Sequence, residues 1–290
     1  MADTTTLVEG LHFGEGPRWR EGRLWFSDFY DHAVKSVSGA GDLQVELELD
    51  DQPSGLGWLP DGRLLVVAMK ARKLLIRELD GELKAYADLR EHTAHLCNDM
   101  VVDGFGRAWV GNFGFDLDAE LEARGTDVIL NHPTTNLVRV DPDGTVAVAS
   151  PDMHFPNGTV VTPDGATLIV AETLGSCLTA FDIAAGGQLE NRRIWAPLDG
   201  VAPDGICLDE KRQVWVANAL APEVICVAES GAVVQRVETS QFCYACMLGG
   251  EDGRTLFAVT AAGSDHRAAS EARTGRIEMV RVDTPHAGLP

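Results

Sequence analysis

The chain has 290 residues, and 45% of them are hydrophobic, enough for a sizeable core and too many for a disordered chain. Acidic residues number 44 against 24 basic ones, for a net charge of −20. Such a surface repels phosphate backbones and anionic headgroups, so neither nucleic acid nor a membrane is an expected partner.

In chain order, the start "MADTTTLVEGLHF" lacks the basic and apolar segments of a signal peptide. Its Leu7, Val8, Leu11 and Phe13 predict an early strand instead. Then one unit recurs six times: "EGPRWREGRLWFSD" from Glu15, "SGLGWLPDGRLLVVA" from Ser54, "NDMVVDGFGRAWVGN" from Asn98, "NGTVVTPDGATLIVAE" from Asn157, "DGICLDEKRQVWVAN" from Asp204 and "ACMLGGEDGRTLFAVT" from Ala245. Each unit opens on a small or polar residue, continues as a short apolar strand and reverses at a turn of the Asp-Gly kind. A second apolar strand follows, with Trp25, Leu65, Trp109, Ile169, Trp215 and Phe257 in matching places. No apolar run approaches the ~20 residues of a membrane span.

The units start 39, 44, 59, 47 and 41 residues apart. A strand-built period of roughly 40–50 residues is that of propeller blades. The expectation is an all-β fold, a six-bladed β-propeller in which residues 1–290 form a single domain and the early strand closes the last blade. The long spacing reflects a loop at 113–136, with a helical turn expected at Ala119 to Ala123 and a role as a lid over the channel mouth.

In a propeller the innermost strands line a central channel, so their opening residues converge. Four of these are oxygen donors: Glu15, Asn98, Asn157 and Asp204. Two carboxylates and two amides suit a divalent cation such as Ca, Mg or Mn, with Zn possible, and an ion removes the repulsion and desolvation of two buried acids. Channel hydration or strand capping is the plainer alternative.

Glu15-Gly16-Pro17-Arg18-Trp19, Asn98-Asp99, Pro156-Asn157-Gly158 and Pro203-Asp204-Gly205, taken in order, resemble the signatures of the senescence marker protein, gluconolactonase and luciferin-regenerating-enzyme family, over about residues 10 to 283. The resemblance implies a propeller with one divalent metal ion held by Glu15, Asn157 and Asp204. It implies Asn98 as a polar residue contacting substrate or the water on the ion, Asp204 as the proton acceptor, and lactone hydrolysis as the reaction. One departure matters. Sugar-lactone members commonly carry an arginine where this chain has Leu96, and many have glycine at Met100. Phe29, Tyr30, Trp58, Met69, Phe113, His154, Phe155 and Tyr244 are further apolar or aromatic candidates for the mouth. A pocket lined this way, with Asn98, Leu96, His154, Phe113, Trp58 and Tyr244 as candidate substrate contacts, predicts a lactone less polar than a sugar lactone. Alternatives are hydrolysis of another electrophile such as a phosphotriester, or a non-enzymatic propeller that binds a partner.

Six cysteines in a chain this long do not read as a disulfide framework, and a cytoplasmic setting is expected. Cys243 and Cys246 form a lone CxxC without the second pair a zinc site needs. They are expected to be packed thiols, and Glu172 and Asn218, at matching strand ends, to be structural. Oligomeric state is left open.

Overall fold

The short apolar runs become strands because each meets a turn that reverses the chain. In the turn between Val102 and Ala108, Gly106 takes φ +81° and the Asp103 carboxylate accepts the N–H groups of Phe105 (2.9 Å) and Arg107 (3.0 Å). The computed structural model describes residues 4–290 and has six antiparallel four-stranded sheets, the six-bladed propeller expected. Blade one runs Gly14–Arg20, Arg23–Asp28, Ala33–Ser38 and Leu43–Glu48. Blade two runs Pro53–Trp58, Leu64–Ala68, Lys73–Arg77 and Leu83–Asp88, and blade three Cys97–Val102, Ala108–Asn112, Thr135–Val140 and Val146–Met153. Blade four runs Pro156–Val161, Thr167–Glu172, Cys177–Ile183 and Leu189–Pro197, and blade five Pro203–Leu208, Val214–Asn218, Glu223–Val227 and Val233–Glu238.

Blade six joins the two ends of the chain. Phe242–Gly249, Thr255–Ala261 and Gly275–Arg281 are completed by Thr5–Leu11, with Thr5 opposite Met279 and Val8 opposite Ile277. The early strand therefore closes the ring and covers an edge that would otherwise be open. Among the described residues no helix is long and apolar enough to cross a membrane.

The two inner strands of a blade are covered on both faces by neighbouring blades, so most of their side chains are buried, and all of them in Cys97–Val102 and Leu64–Ala68. Outer strands face water and are mostly exposed, as in Val233–Glu238. The core accordingly sits between blades: Trp215 of blade five packs in one cluster with Met247 and Phe257 of blade six.

Every inner strand breaks register at the same place: between Glu15 and Arg18, Pro53 and Leu56, Cys97 and Met100, Pro156 and Thr159, Pro203 and Ile206, and Cys243 and Ala245. Such a bulge bends the strand and re-aims its side chains. The pairing also fixes which residues are equivalent. Gly14, Pro53, Cys97, Pro156, Pro203 and Phe242 lie opposite Asp28, Ala68, Asn112, Glu172, Asn218 and Ala261. The next residue in each inner strand is the ring position: Glu15, Ser54, Asn98, Asn157, Asp204 and Cys243. The sixth member is thus Cys243 and not Ala245. The inner strand of blade six has 8 residues against 6 in blades two to five, so counting back from its turn falls two residues short.

The insertion of blade three holds two helices, α1 (Leu117–Arg124) and α2 (Asp127–Leu130). Asp116 caps α1 by accepting the Ala119 N–H, so the helix is longer than the single turn expected.

The closing strand is held mainly by its buried residues. Leu11→Ala, which empties a site 2% exposed, is expected to lower stability by about 2–5 kcal/mol in denaturant unfolding, and a loss within error would show that the closure contributes little.

Candidate metal and substrate site

The four oxygen donors singled out by spacing come together. Glu15, Asn98, Asn157 and Asp204 line one cavity of about 360 Å³ at one end of the channel, each no more than 7% exposed. Adjacent inner strands approach closely here. A Cβ on Gly158 would lie 2.4 Å from the Asp204 carbonyl oxygen, so glycine is what allows Asn157 and Asp204 to sit side by side.

Burial raises the Glu15 carboxyl well above its usual range, and the charges of Asp204 and Asp99 raise it further. Burial and Asp99 do the same to Asp204. The buried cation beside them is already engaged. Arg18 donates to Asp99 at 2.7 Å and to the carbonyls of Leu56 (2.9 Å) and Met100. The adjacent Asn98 and Asp99 therefore have opposite duties: one faces the cavity, the other fixes Arg18 across three blades.

Asn157 donates its Nδ2 to the Thr173 hydroxyl at 3.2 Å, and Thr173 donates in turn to the Pro203 carbonyl at 2.8 Å. Among the described residues, Asn157 Oδ1, Asp204 Oδ1 and Ser54 Oγ are buried without a hydrogen-bond partner. Buried polar atoms are ordinarily paired, so unpartnered oxygens on Asn157 and Asp204 next to Glu15 fit a donor set for a divalent cation. Among the described residues no three His, Cys, Asp or Glu side chains are grouped to hold an ion. The donor set instead combines two carboxylates with an amide oxygen.

Above the ring the cavity wall is mainly apolar. Phe13, Phe29, Tyr30, Met69, Leu96, Phe113, Leu117, Phe155 and Tyr244 line it, joined by Gln52, Lys70, His95, Asp116, Asp118 and Thr173. Phe13 packs on Tyr244 at 4.7 Å between centroids and Phe113 on Phe155 at 4.4 Å. Burial pushes the Tyr244 phenol up to about 12.

Two expected mouth residues lie elsewhere. Trp58 stands four residues beyond Ser54, about 13 Å down its strand, where it packs edge-on against Trp25 (5.4 Å) beneath Arg20. His154 is absent from the lining: its N–H donates to Glu172 at 2.7 Å and its ring meets His132 at 2.9 Å. His132 also donates Nδ1–H to the Ile129 carbonyl at 3.0 Å within the insertion, and its contact with His154 ties the insertion to the segment that leads into blade four. The cysteines are free and buried, as expected.

Phe13, expected only as part of the early strand, also lines the cavity, as do Gln52, Lys70 and Thr173, and the repeat carries a signal for most of them. Phe13, Gln52, Leu96 and Phe155 each stand two residues before a ring position, immediately ahead of the inner strand. Phe29, Met69, Phe113, Thr173 and Ala219 each follow the last residue of a second strand.

Fold and pocket together define a six-bladed propeller with a ligand-sized cavity at one mouth of its channel. The chain belongs to the SMP-30/gluconolactonase/LRE-like family, whose model matches residues 13–262. A pentonolactonase of Haloferax volcanii is 26% identical over 303 residues, covering 100% of this chain and 97% of that protein. The diisopropyl-fluorophosphatase of Loligo vulgaris is 27% identical, covering 74% of each. Among solved structures, a calcium-binding regucalcin of Agrobacterium tumefaciens superposes with a TM-score of 0.79 at 19% identity, covering 100% of this chain and 96% of that one, a likeness of fold.

The buried Arg18–Asp99 pair gives a testable asymmetry. Arg18→Met leaves a buried carboxylate unpaired and is expected to cost about 3–5 kcal/mol in denaturant unfolding, while Arg18→Met with Asp99→Leu costs clearly less. Equal losses would contradict the pairing argument.

Proposed function

We propose that the chain is a divalent-metal-dependent hydrolase that opens a lactone less polar than a sugar lactone. The observation that carries the reading is the pair of unpartnered buried oxygens, Asn157 Oδ1 and Asp204 Oδ1, beside the Glu15 carboxylate. Glu15, Asn157 and Asp204 would hold the ion. When bound, a divalent ion supplies Lewis-acid polarisation of the ester carbonyl and makes water a better nucleophile at neutral pH.

The chain's own residues account for the rest. Asp204 accepts the proton of the attacking water at a carboxylate oxygen. The water oxygen bonds to the carbonyl carbon, the ring C–O bond breaks, and the same proton passes to the leaving alkoxide, giving a hydroxy acid. Asn98, whose amide borders the cavity, orients the substrate. No side chain of the protein serves as nucleophile.

Substrate polarity follows from the wall. Leu96 offers no charge to a hydroxylated ring, and Phe13, Phe113 and Phe155 favour an alkyl or aryl substituent. The insertion acts as a lid: it contributes Phe113, Asp116, Leu117 and Asp118 to the lining and is fastened by the His132–His154 contact. A second reading, hydrolysis of a phosphotriester in the same pocket, is favoured by the fluorophosphatase relative and the apolar wall.

Asp204→Ala is expected to lower kcat about 10²–10⁴-fold with circular dichroism unchanged, and near-normal turnover would remove Asp204 from the chemistry. Phe113→Ala is expected to raise KM for an alkyl- or aryl-substituted lactone about tenfold or more, from the loss of roughly 1.5–3 kcal/mol of apolar burial, while a sugar lactone changes little. Equal effects on both would oppose the polarity assignment. Turnover of aryl phosphotriesters with none of any lactone would favour the second reading.

A further inference from the structure

The residue that ends the second strand of each blade sits directly opposite the residue preceding the ring position, and its identity divides the blades. In blades two and six it is Ala68 or Ala261, each 1% exposed, and the ring residues there are Ser54 and Cys243. In blades one, four and five it is Asp28, Glu172 or Asn218, each no more than 2% exposed. These are the blades that carry Glu15, Asn157 and Asp204.

All three polar residues do the same thing. The Asp28 carboxylate accepts the N–H of Phe13 at 2.8 Å and of His12 at 3.3 Å. Glu172 accepts the N–H of His154 at 2.7 Å. Asn218 Oδ1 accepts the N–H of Ala202 at 3.3 Å. Each therefore fastens the backbone two or three residues ahead of a proposed ion ligand. Each is also braced from outside the blade's centre. Lys35 donates to Asp28 at 2.8 Å, Arg192 pairs with Glu172 at 3.3 Å, and Asn218 donates to Glu223 at 3.0 Å, which pairs with Arg236 at 2.6 Å. Blade three separates the two roles. Its Asn112 accepts from the Thr135 hydroxyl at 2.6 Å and donates to the Asn136 carbonyl, away from the segment before Asn98, and Asn98 is not among the proposed ligands.

Burying an acid or amide at a strand end carries a desolvation cost, and blades two and six close with alanine. Closing a blade therefore does not require the polar residue. We propose that Asp28, Glu172 and Asn218 are positioning residues that aim Glu15, Asn157 and Asp204 at a common ion, an inference that rests on the metal-site reading above. Ligand geometry has to be held within about 0.5 Å, and loss of such a supporting contact commonly weakens metal binding about 10–100-fold.

The test titrates calcium and zinc ions calorimetrically into the chelator-treated chain, alongside melting temperatures measured without ion. Glu172→Ala and Asn218→Ala are expected to weaken binding about 10–100-fold. Glu172→Gln keeps an oxygen for the His154 N–H and is expected to restore most of the affinity. Asn218→Leu fills the space and serves if the alanine variant does not fold. The control is Glu278→Gln in blade six, where a carboxylate 1% exposed accepts from Thr260 and Ser240. It is expected to lower the melting temperature and leave ion affinity unchanged. Unchanged affinity in the blade-four and blade-five variants, or equal weakening in the control, overturns the inference while leaving the metal site standing. A wild-type chain that binds neither ion overturns both.

Discussion

Two carboxylates, each no more than 7% exposed, share a channel mouth, and the arginine next to them is committed to a third. That constraint organises the site. Glu15 and Asp204 cannot both stay charged at low cost in this place, since burial and Asp99 already raise both. Arg18 is held by Asp99 and three carbonyls, and its charge offsets only part of what raises Glu15. Unsatisfied oxygens on Asn157 and Asp204 extend the same deficit. A divalent ion would supply the missing positive charge and the missing partners together.

The fold was legible because its grammar is local and repeated. Asp-Gly turns and apolar pairs of strands mark six blades, and Leu7, Val8 and Leu11 mark the strand that closes them. The ring was legible because inner strands start at equivalent places, so Glu15, Asn98, Asn157 and Asp204 could be placed together across 189 residues of sequence. Blade six escaped by two residues because its inner strand is longer, and no local signal reports strand length. Trp58 was misplaced for a related reason: aromatic character says nothing about which end of a strand faces the mouth. His154 went astray because its ring has a partner, His132, that lies in an insertion no repeat predicts.

Other parts of the site were written in the sequence at positions that were not compared. The residue two before a ring position, in four blades, and the residue after a second strand, in five, supply much of the wall. Phe13, Leu96 and Phe155 come from the first set; Phe29, Met69 and Phe113 from the second. The ring and the wall are therefore supplied by different positions of the repeat. A chain can keep an oxygen-rich floor while replacing the charge above it, as Leu96 does here. The helical insertion then adds Leu117 and two aspartates on one side, a contribution outside the repeat altogether.

The central claim is that the oxygen ring is an ion site on which hydrolysis depends. Elemental analysis of the purified chain, paired with lactone hydrolysis before chelation, after it and after metal is restored, tests this most directly. The account predicts close to one divalent ion per chain, loss of hydrolysis on chelation and recovery on restoring the ion. A chain without bound ion whose lactone hydrolysis ignores the chelator would contradict it, and would leave the ring as channel polarity alone.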